Sequence, residues 1–382
     1  MGSLAGASLA RKYYKHNYSQ TSSSKTAIPS KSSLEKVLAY AGAAGSLTGF
    51  MNIPLAGAVF ALEMTSRHAG VAASAVKSWS TSIVASLVGI AFLRGLVVPS
   101  MGVGGHFDYI SRAAVGAVSG REMVLVGLGC GLGGALVGTG MTDISHHSSA
   151  LYSSRVLIFH FTAFHTVTKF LKGLIWSGKK TESAKRNKYV GMRKKACVAF
   201  AIGLLSTQYP QTMFWGEGSL QCMVSGQCSP FVSTPHGLPI SMLEWARVNP
   251  NTPLASSFDA LQVGLAKFLA IALASAGKYP GGVIFPLLSN GAGLSHALIA
   301  GVSNLIPSFS HSLASSMMVM SFMAATLTSI TRTPLATCLI LALTASSITP
   351  LSVILPGALI ASYISVFASE KLSKESFFEY SD

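Results

Sequence analysis

Residues 44–56 read AGSLTGFMNIPLA, and residues 324–336 read AATLTSITRTPLA. The two stretches align without gaps and are identical at six of thirteen positions, including the Pro-Leu-Ala triplets that begin at Pro54 and Pro334. Each copy predicts a helix of small residues, a break at the proline, and a second, short apolar helix. Proline suits the first turn of that second helix, because its missing N–H would be unpaired there in any case. Paired halves with proline-interrupted spans are typical of transporter architectures.

The composition around the two stretches is that of a membrane protein. Half of the 382 residues are apolar and only 11% are charged, whereas a soluble domain has about 25% charged residues. Several apolar runs are shorter than the roughly 20 residues of a simple spanning helix, and glycine or proline interrupts them. We therefore predict an all-α, polytopic membrane protein with broken helices. The main runs are residues 83–98, 123–141, 261–276 and 351–368.

The net charge is +15, and half of the 28 lysines and arginines gather in two polar segments, residues 11–36 and 179–195. Short basic loops between apolar spans lie on the cytoplasmic side of a membrane, and anionic lipid attracts them. These rules account for the charge without a nucleic-acid partner. We expect two cytoplasmic basic loops, a lipid bilayer as partner and no nucleic acid. The pattern does not specify which membrane holds the protein.

Residues 277–286 read GKYPGGVIFP and separate two apolar runs. A helix that begins after such a segment exposes free backbone N–H groups in its first turn, at the positive end of its dipole. Gly281 and Gly282 remove side-chain bulk, so that an anion can approach these donors without a buried cation. The alternative is a simple Gly-Pro turn between two spans.

Three motifs in order resemble those of the CLC family of voltage-gated chloride channels and chloride/proton exchangers. GGVIFP at residues 281–286 resembles the GxFxP motif, NIPLAGAVFALE at 52–63 resembles the NAPLAG…E segment, and TRTPLA at 331–336 resembles the later IRAPL segment. The likeness covers about residues 1–380. It implies inverted-topology repeats, a homodimer with one anion pathway per subunit, and chloride as the transported ligand, with no cofactor.

Carried over by position, the resemblance assigns the central anion to the backbone N–H groups of Val283 and Ile284. Ile284 stands where the family usually has phenylalanine, which leaves the backbone donor unchanged. The family's inner-gate tyrosine falls near Phe377, with Tyr380 as a neighbour, and a phenylalanine cannot donate that hydrogen bond. The predicted anion-binding residues are Gly281, Gly282, Val283, Ile284, Phe285 and Pro286.

The family's GSGIP and GxEGP motifs do not occur in the sequence. We therefore expect residues 1–382 to form one CLC-like transport domain that lacks the family's first helices and carries no C-terminal regulatory domain. A truncated, non-conducting subunit is the alternative to a conducting protein.

Glu63 is a carboxylate predicted inside a span, where ionisable residues are usually functional. We assign Glu63 and Met64 to a candidate proton or gating path, and a local cap or pairing with Arg67 or His68 is the alternative. The family's exchangers often carry a second acid after the first, and a thioether at Met64 cannot relay a proton. Passive conduction is therefore favoured over chloride/proton exchange. Lys267, in the span before the glycine pair, is either a buried functional residue or snorkels to the interface.

The histidines raise one enzyme hypothesis, a membrane di-iron site. His146-His147 and the pair His160 and His165 lack the interlocking boxes that such a site needs, and the spacing of the second pair places its members on different helix faces. We therefore expect no enzyme and no metal. The GxGxxG-like run at 129–134 lies within a span, where close helix packing explains it better than nucleotide binding. Cys222 and Cys228 share a polar loop and pair only on an oxidising side.

Overall fold

The computed structural model describes most of the helical core of the chain. The described residues are 5–12, 31–51, 53, 55–66, 72–92, 95, 109, 117–150, 184–213, 220–221, 223–224, 256–277, 279, 281–345 and 349–373.

Ten helices longer than two turns follow one another along these residues, and residues 5–12 are helical ahead of them. They are α1 (Lys31–Met51), α2 (Ala56–Ser66), α3 (Ala72–Phe92), α4 (Gly120–Ala150), α5 (Ala184–Gln208), α6 (Ser257–Ala276), α7 (Ile284–Leu305), α8 (Leu313–Thr331), α9 (Pro334–Thr344) and α10 (Leu351–Leu372).

Four of these helices contain segments long and apolar enough to cross a bilayer, and three shorter apolar segments accompany them. The predicted runs at 123–141, 261–276 and 351–368 all fall inside such helices. The protein is therefore a multi-pass integral membrane protein. The four segments are Gly120–Ile144, Phe258–Ser275, Leu313–Thr331 and Leu351–Leu372, and the shorter ones are Trp79–Phe92, Lys195–Gln208 and Pro334–Thr344.

The helices pack in two groups. Helices α1, α2 and α3 contact one another, while α8 lies at the centre of a second group and contacts α4, α7, α9 and α10. The α8 segment is the most deeply buried of the four apolar spans, with 94% of its residues inside the protein. Among the described residues, the extended helix contact that joins the two groups is that of α2 with α9.

Small residues allow α4 to approach its neighbours closely. A Cβ atom added to Gly131 would lie 2.7 Å from the Ile364 side chain on α10, and one added to Gly134 would lie 2.4 Å from the Cβ of Ala325 on α8. Gly129, in contrast, has no atom within 4 Å of such a position. The prediction that the glycine-rich run serves helix packing is confirmed.

The predicted breaks at the two Pro-Leu-Ala triplets are confirmed, although their details differ. In the second copy, α8 ends at Thr331, Arg332 adopts a left-handed conformation with φ of 56°, and Pro334 is the first residue of α9. In the first copy the left-handed residue is Leu55, with φ of 66°, and α2 begins at Ala56. The backbone thus differs at equivalent positions of the repeat, since Leu55 is left-handed whereas Leu335 lies in the first turn of α9.

The prediction of basic loops was wrong in part. Residues 184–195 form the first turns of α5 rather than a loop, and residues 11–12 and 31–36 are helical as well. Lysine and arginine are good helix formers, so a basic segment next to an apolar run extends the helix instead of interrupting it.

Candidate anion site

The N-terminus of α7 begins where the glycine pair ends. Val283 is the N-cap residue and no side chain caps the helix. The first backbone bond of the helix runs from the Leu287 N–H to the Val283 carbonyl, at 3.0 Å. Pro286 has no N–H to satisfy, and among the described residues no carbonyl accepts from the N–H of Val283 or Ile284. Within the described part of the chain, the two donors predicted to bind the anion therefore have no backbone acceptor.

The approach to these donors is open. Gly281 and Gly282 are exposed, and a Cβ atom added to either would have no atom within 4 Å. Phe285, by contrast, is buried in the main hydrophobic cluster, which anchors the first turn of the helix. The structure thus combines a fixed helix start with free space in front of its donors.

Three other helix starts are closed by their own sequence. At α4 the Ser119 N–H donates to Glu122 Oε2 at 2.8 Å, and the Glu122 N–H donates to Ser119 Oγ at 3.2 Å. Ser256 accepts from the Asp259 N–H at α6, and Ser312 caps α8. The start of α10 also lacks a side-chain cap, but no glycine pair precedes it. The uncapped start combined with open space distinguishes α7.

Glu63 closes the N-terminus of α9 from another helix. Its Oε1 accepts from the Leu335 N–H at 2.9 Å and its Oε2 accepts from the Ala336 N–H at 2.7 Å. The anticipated cap by Glu63 therefore exists, but it is made between the two copies of the repeat rather than within α2. Arg67 and His68, the local partners considered for Glu63, lie outside the described residues.

Lys267 is buried, with 2% of its surface exposed. Its Nζ donates to the Thr212 carbonyl at 3.0 Å, in the short 3₁₀ helix that follows α5. The side chain does not snorkel to an interface, and its ammonium group connects α6 to the end of α5. A buried cation of this kind within a span is a functional candidate.

Two polar side chains within α7 could not be anticipated from the motif. Ser289 and Asn290 are fully buried, and within the described part of the chain their side-chain polar atoms have no hydrogen-bond partner. Buried polar groups are nearly always paired. Among the described residues, these two side chains therefore still have donors and acceptors to offer, one to two helical turns after the N-terminus of α7.

Other predicted features lie outside the described residues. They include the inner-gate candidates Phe377 and Tyr380, and the cysteine pair formed by Cys222 and Cys228. Arg332 does show where the segment with the gate candidates starts, because its guanidinium donates to the Ser373 carbonyl at 3.2 Å, at the end of α10. Among the described residues, no group of three or more His, Cys, Asp or Glu side chains is placed to hold a metal ion.

An apolar helical bundle with broken spans and an open helix N-terminus defines the class of helical membrane transport proteins. The family model described as voltage gated chloride channel matches residues 1–366 of the chain. The chain therefore belongs to the voltage gated chloride channel family, as the three motifs predicted.

The fold agrees with that membership. A crystal structure of a slow cyanobacterial Cl⁻/H⁺ antiporter matches with a TM-score of 0.53 at 17% identity, over 97% of this chain and 67% of that chain. The predicted fold class, an all-α membrane protein with inverted-topology repeats and broken helices, is confirmed by this likeness. A comparison with curated protein sequences finds no match.

Proposed function

We propose that the protein transports chloride across a membrane, and that the anion binds to the backbone N–H groups of Val283 and Ile284. The observation that carries the proposal is the open N-terminus of α7. Its two donors have no acceptor among the described residues, and the glycine pair leaves room in front of them. A helix N-terminus of this kind holds an anion through oriented N–H groups and the helix dipole. Membership of the voltage gated chloride channel family supports chloride as the anion.

Removing one donor without changing the side chain tests this site. Replacement of the Ile284 backbone amide by an ester substitutes oxygen for N–H, and we expect chloride binding to weaken about tenfold or more, since a hydrogen bond to a charged group contributes about 1.5–3 kcal/mol. Chloride efflux from liposomes as a function of chloride concentration measures the effect.

The matched control is the same ester at Leu351, the first residue of α10, whose N-cap residue likewise makes no side-chain cap. It should leave the chloride dependence unchanged. Equal chloride dependence of the unmodified protein and the folded Ile284 ester would contradict the site.

We further propose passive conduction rather than coupled exchange. Met64 follows Glu63 and cannot relay a proton, and both oxygens of the Glu63 carboxylate accept bonds from α9. The second candidate, chloride/proton exchange, is favoured by the structural likeness to a Cl⁻/H⁺ antiporter.

The reversal potential under an imposed pH gradient, with chloride fixed on both sides, distinguishes the two. A potential that follows chloride alone supports conduction. A shift with pH at a fixed ratio of anions to protons would establish exchange.

The proposal extends to assembly. We propose that the transport unit is a homodimer with one pathway in each subunit, as the family resemblance implies. The mass of the purified protein in detergent, measured by light scattering, tests this: a mass of one chain after subtraction of bound detergent would contradict it.

A further inference from the structure

The contact between α2 and α9 holds the two copies of the repeat together. These are the short helices that follow the Pro-Leu-Ala breaks, and among the described residues they form the extended helix contact between α1–α3 and the later helices. Glu63 lies at this contact, and 272 positions separate it from Leu335. Its side chain is partly buried.

The Glu63 carboxylate accepts the hydrogen bonds that the backbone N–H groups at the start of α9 would otherwise lack. Pro334, the first residue, has no N–H. The N–H groups of Leu335 and Ala336 donate to Glu63, and the Thr337 N–H donates to the Thr333 carbonyl at 3.1 Å. Every backbone donor of the first turn is therefore satisfied, and a negative charge lies at the positive end of the helix dipole.

The repeat does not reproduce this arrangement in the other direction. The position equivalent to Glu63 in the second copy, 280 residues later, is Leu343, whose side chain has no acceptor atom. One carboxylate thus crosses from the first copy to the second, and no counterpart returns at the equivalent position.

We propose that Glu63 is a positioning residue whose carboxylate takes the place of a bound anion at the N-terminus of α9. Its carboxylate clamps α2 to α9 and occupies the place where this helix start would otherwise take up a halide. The inference rests on the proposed function, because it takes the open start of α7 as the site of the transported anion. Under this proposal, Glu63 keeps a halide from binding at the start of α9, so that the halide binds at the start of α7.

Hydrogen–deuterium exchange of the full chain in detergent, read by mass spectrometry, tests the proposal at α9. In Glu63→Ala the peptide that covers residues 333–339 should exchange about tenfold faster than in the unmodified protein, because two bonds to a charged acceptor are lost. Sodium bromide should slow this exchange again in Glu63→Ala, and sodium gluconate at equal ionic strength should not. Bromide should have no effect on this peptide in the unmodified protein, where the carboxylate occupies the site.

Two further variants keep the test decisive. Glu63→Gln retains the side-chain length and one acceptor oxygen, and should give intermediate exchange even where the alanine variant folds poorly. Glu122→Ala removes a carboxylate that caps its own helix, and should speed exchange only at the start of α4. Unchanged exchange at α9 in both Glu63 variants, or failure of bromide to slow it in Glu63→Ala, would overturn the proposal.

The same experiment separates this inference from the proposed function. Bromide should slow exchange around Val283 and Ile284 in all variants if α7 binds the transported anion. A response at α9 of Glu63→Ala without one at α7 would contradict the proposed chloride site and leave the role of Glu63 intact.

Discussion

The N-termini of α7 and α9 are alike in sequence context, but their backbone N–H donors differ in whether a side chain accepts from them. Each follows a break between two apolar helices, and each presents backbone N–H groups that its own sequence does not cap. At α9 the donors are bound by Glu63 of α2, whereas at α7 the donors of Val283 and Ile284 have no acceptor among the described residues. The difference teaches that two similar helix starts can differ in their acceptors because of a side chain from a distant segment, and it is why we assign the transported anion to α7 and not to α9.

Filling the open space in front of α7 should have the largest effect. Gly282→Val should fold normally, because a Cβ at this position meets no atom within 4 Å, but its side chain occupies the anion's approach. We expect chloride efflux to fall to the level of empty liposomes. Gly129→Val is the matched control, since its position on α4 is equally open, and it should retain the normal flux. Normal flux through Gly282→Val would mean that the anion does not approach α7 from this side.

Giving α7 a carboxylate of its own should make it resemble α9. Val283→Asp places an acid at the N-cap of α7, where its charge repels chloride and takes the place of an anion at the positive end of the helix dipole. We expect the half-saturating chloride concentration to rise about tenfold or more, on the scale of a charge-assisted hydrogen bond. Val283→Asn has nearly the same shape without the charge and should raise it much less. Equal effects of the two variants would point to a steric cause instead of competition between anions.

The smallest effect is expected inside the first turn of α9. Thr337 is fully buried, and within the described part of the chain its hydroxyl has no hydrogen-bond partner. Thr337→Val removes this hydroxyl and keeps the shape, so the free energy of unfolding should stay equal or rise by up to about 1 kcal/mol. Denaturation in mixed micelles measures it. A fall in the free energy of unfolding would show that the hydroxyl has a partner that stabilises α9, in addition to Glu63.

The sequence predicts what depends on neighbouring residues. The break at Pro334, the open glycine pair and the packing of Gly131 and Gly134 follow from local chemistry, and the structure shows all of them. The predicted loop at residues 179–195 was wrong over residues 184–195, because good helix formers next to an apolar run extended α5.

What the sequence does not predict depends on contacts between distant segments. Glu63 was recognised as an ionisable residue within a span, but its bonds to α9 join residues 272 positions apart. The backbone also differs between equivalent positions of the two copies, since Leu55 is left-handed and Leu335 is helical. Equivalent sequences therefore specify the break, while packing against the rest of the fold decides the backbone conformation within it.

Bromide binding tests the central claim most directly. Crystals of the protein grown or soaked with bromide give an anomalous signal at each occupied halide site. We predict a peak at hydrogen-bonding distance from the N–H groups of Val283 and Ile284, and none at Leu335 and Ala336, where the Glu63 carboxylate should remain. A vacant α7 start, or bromide at α9 with Glu63 displaced, would contradict the account.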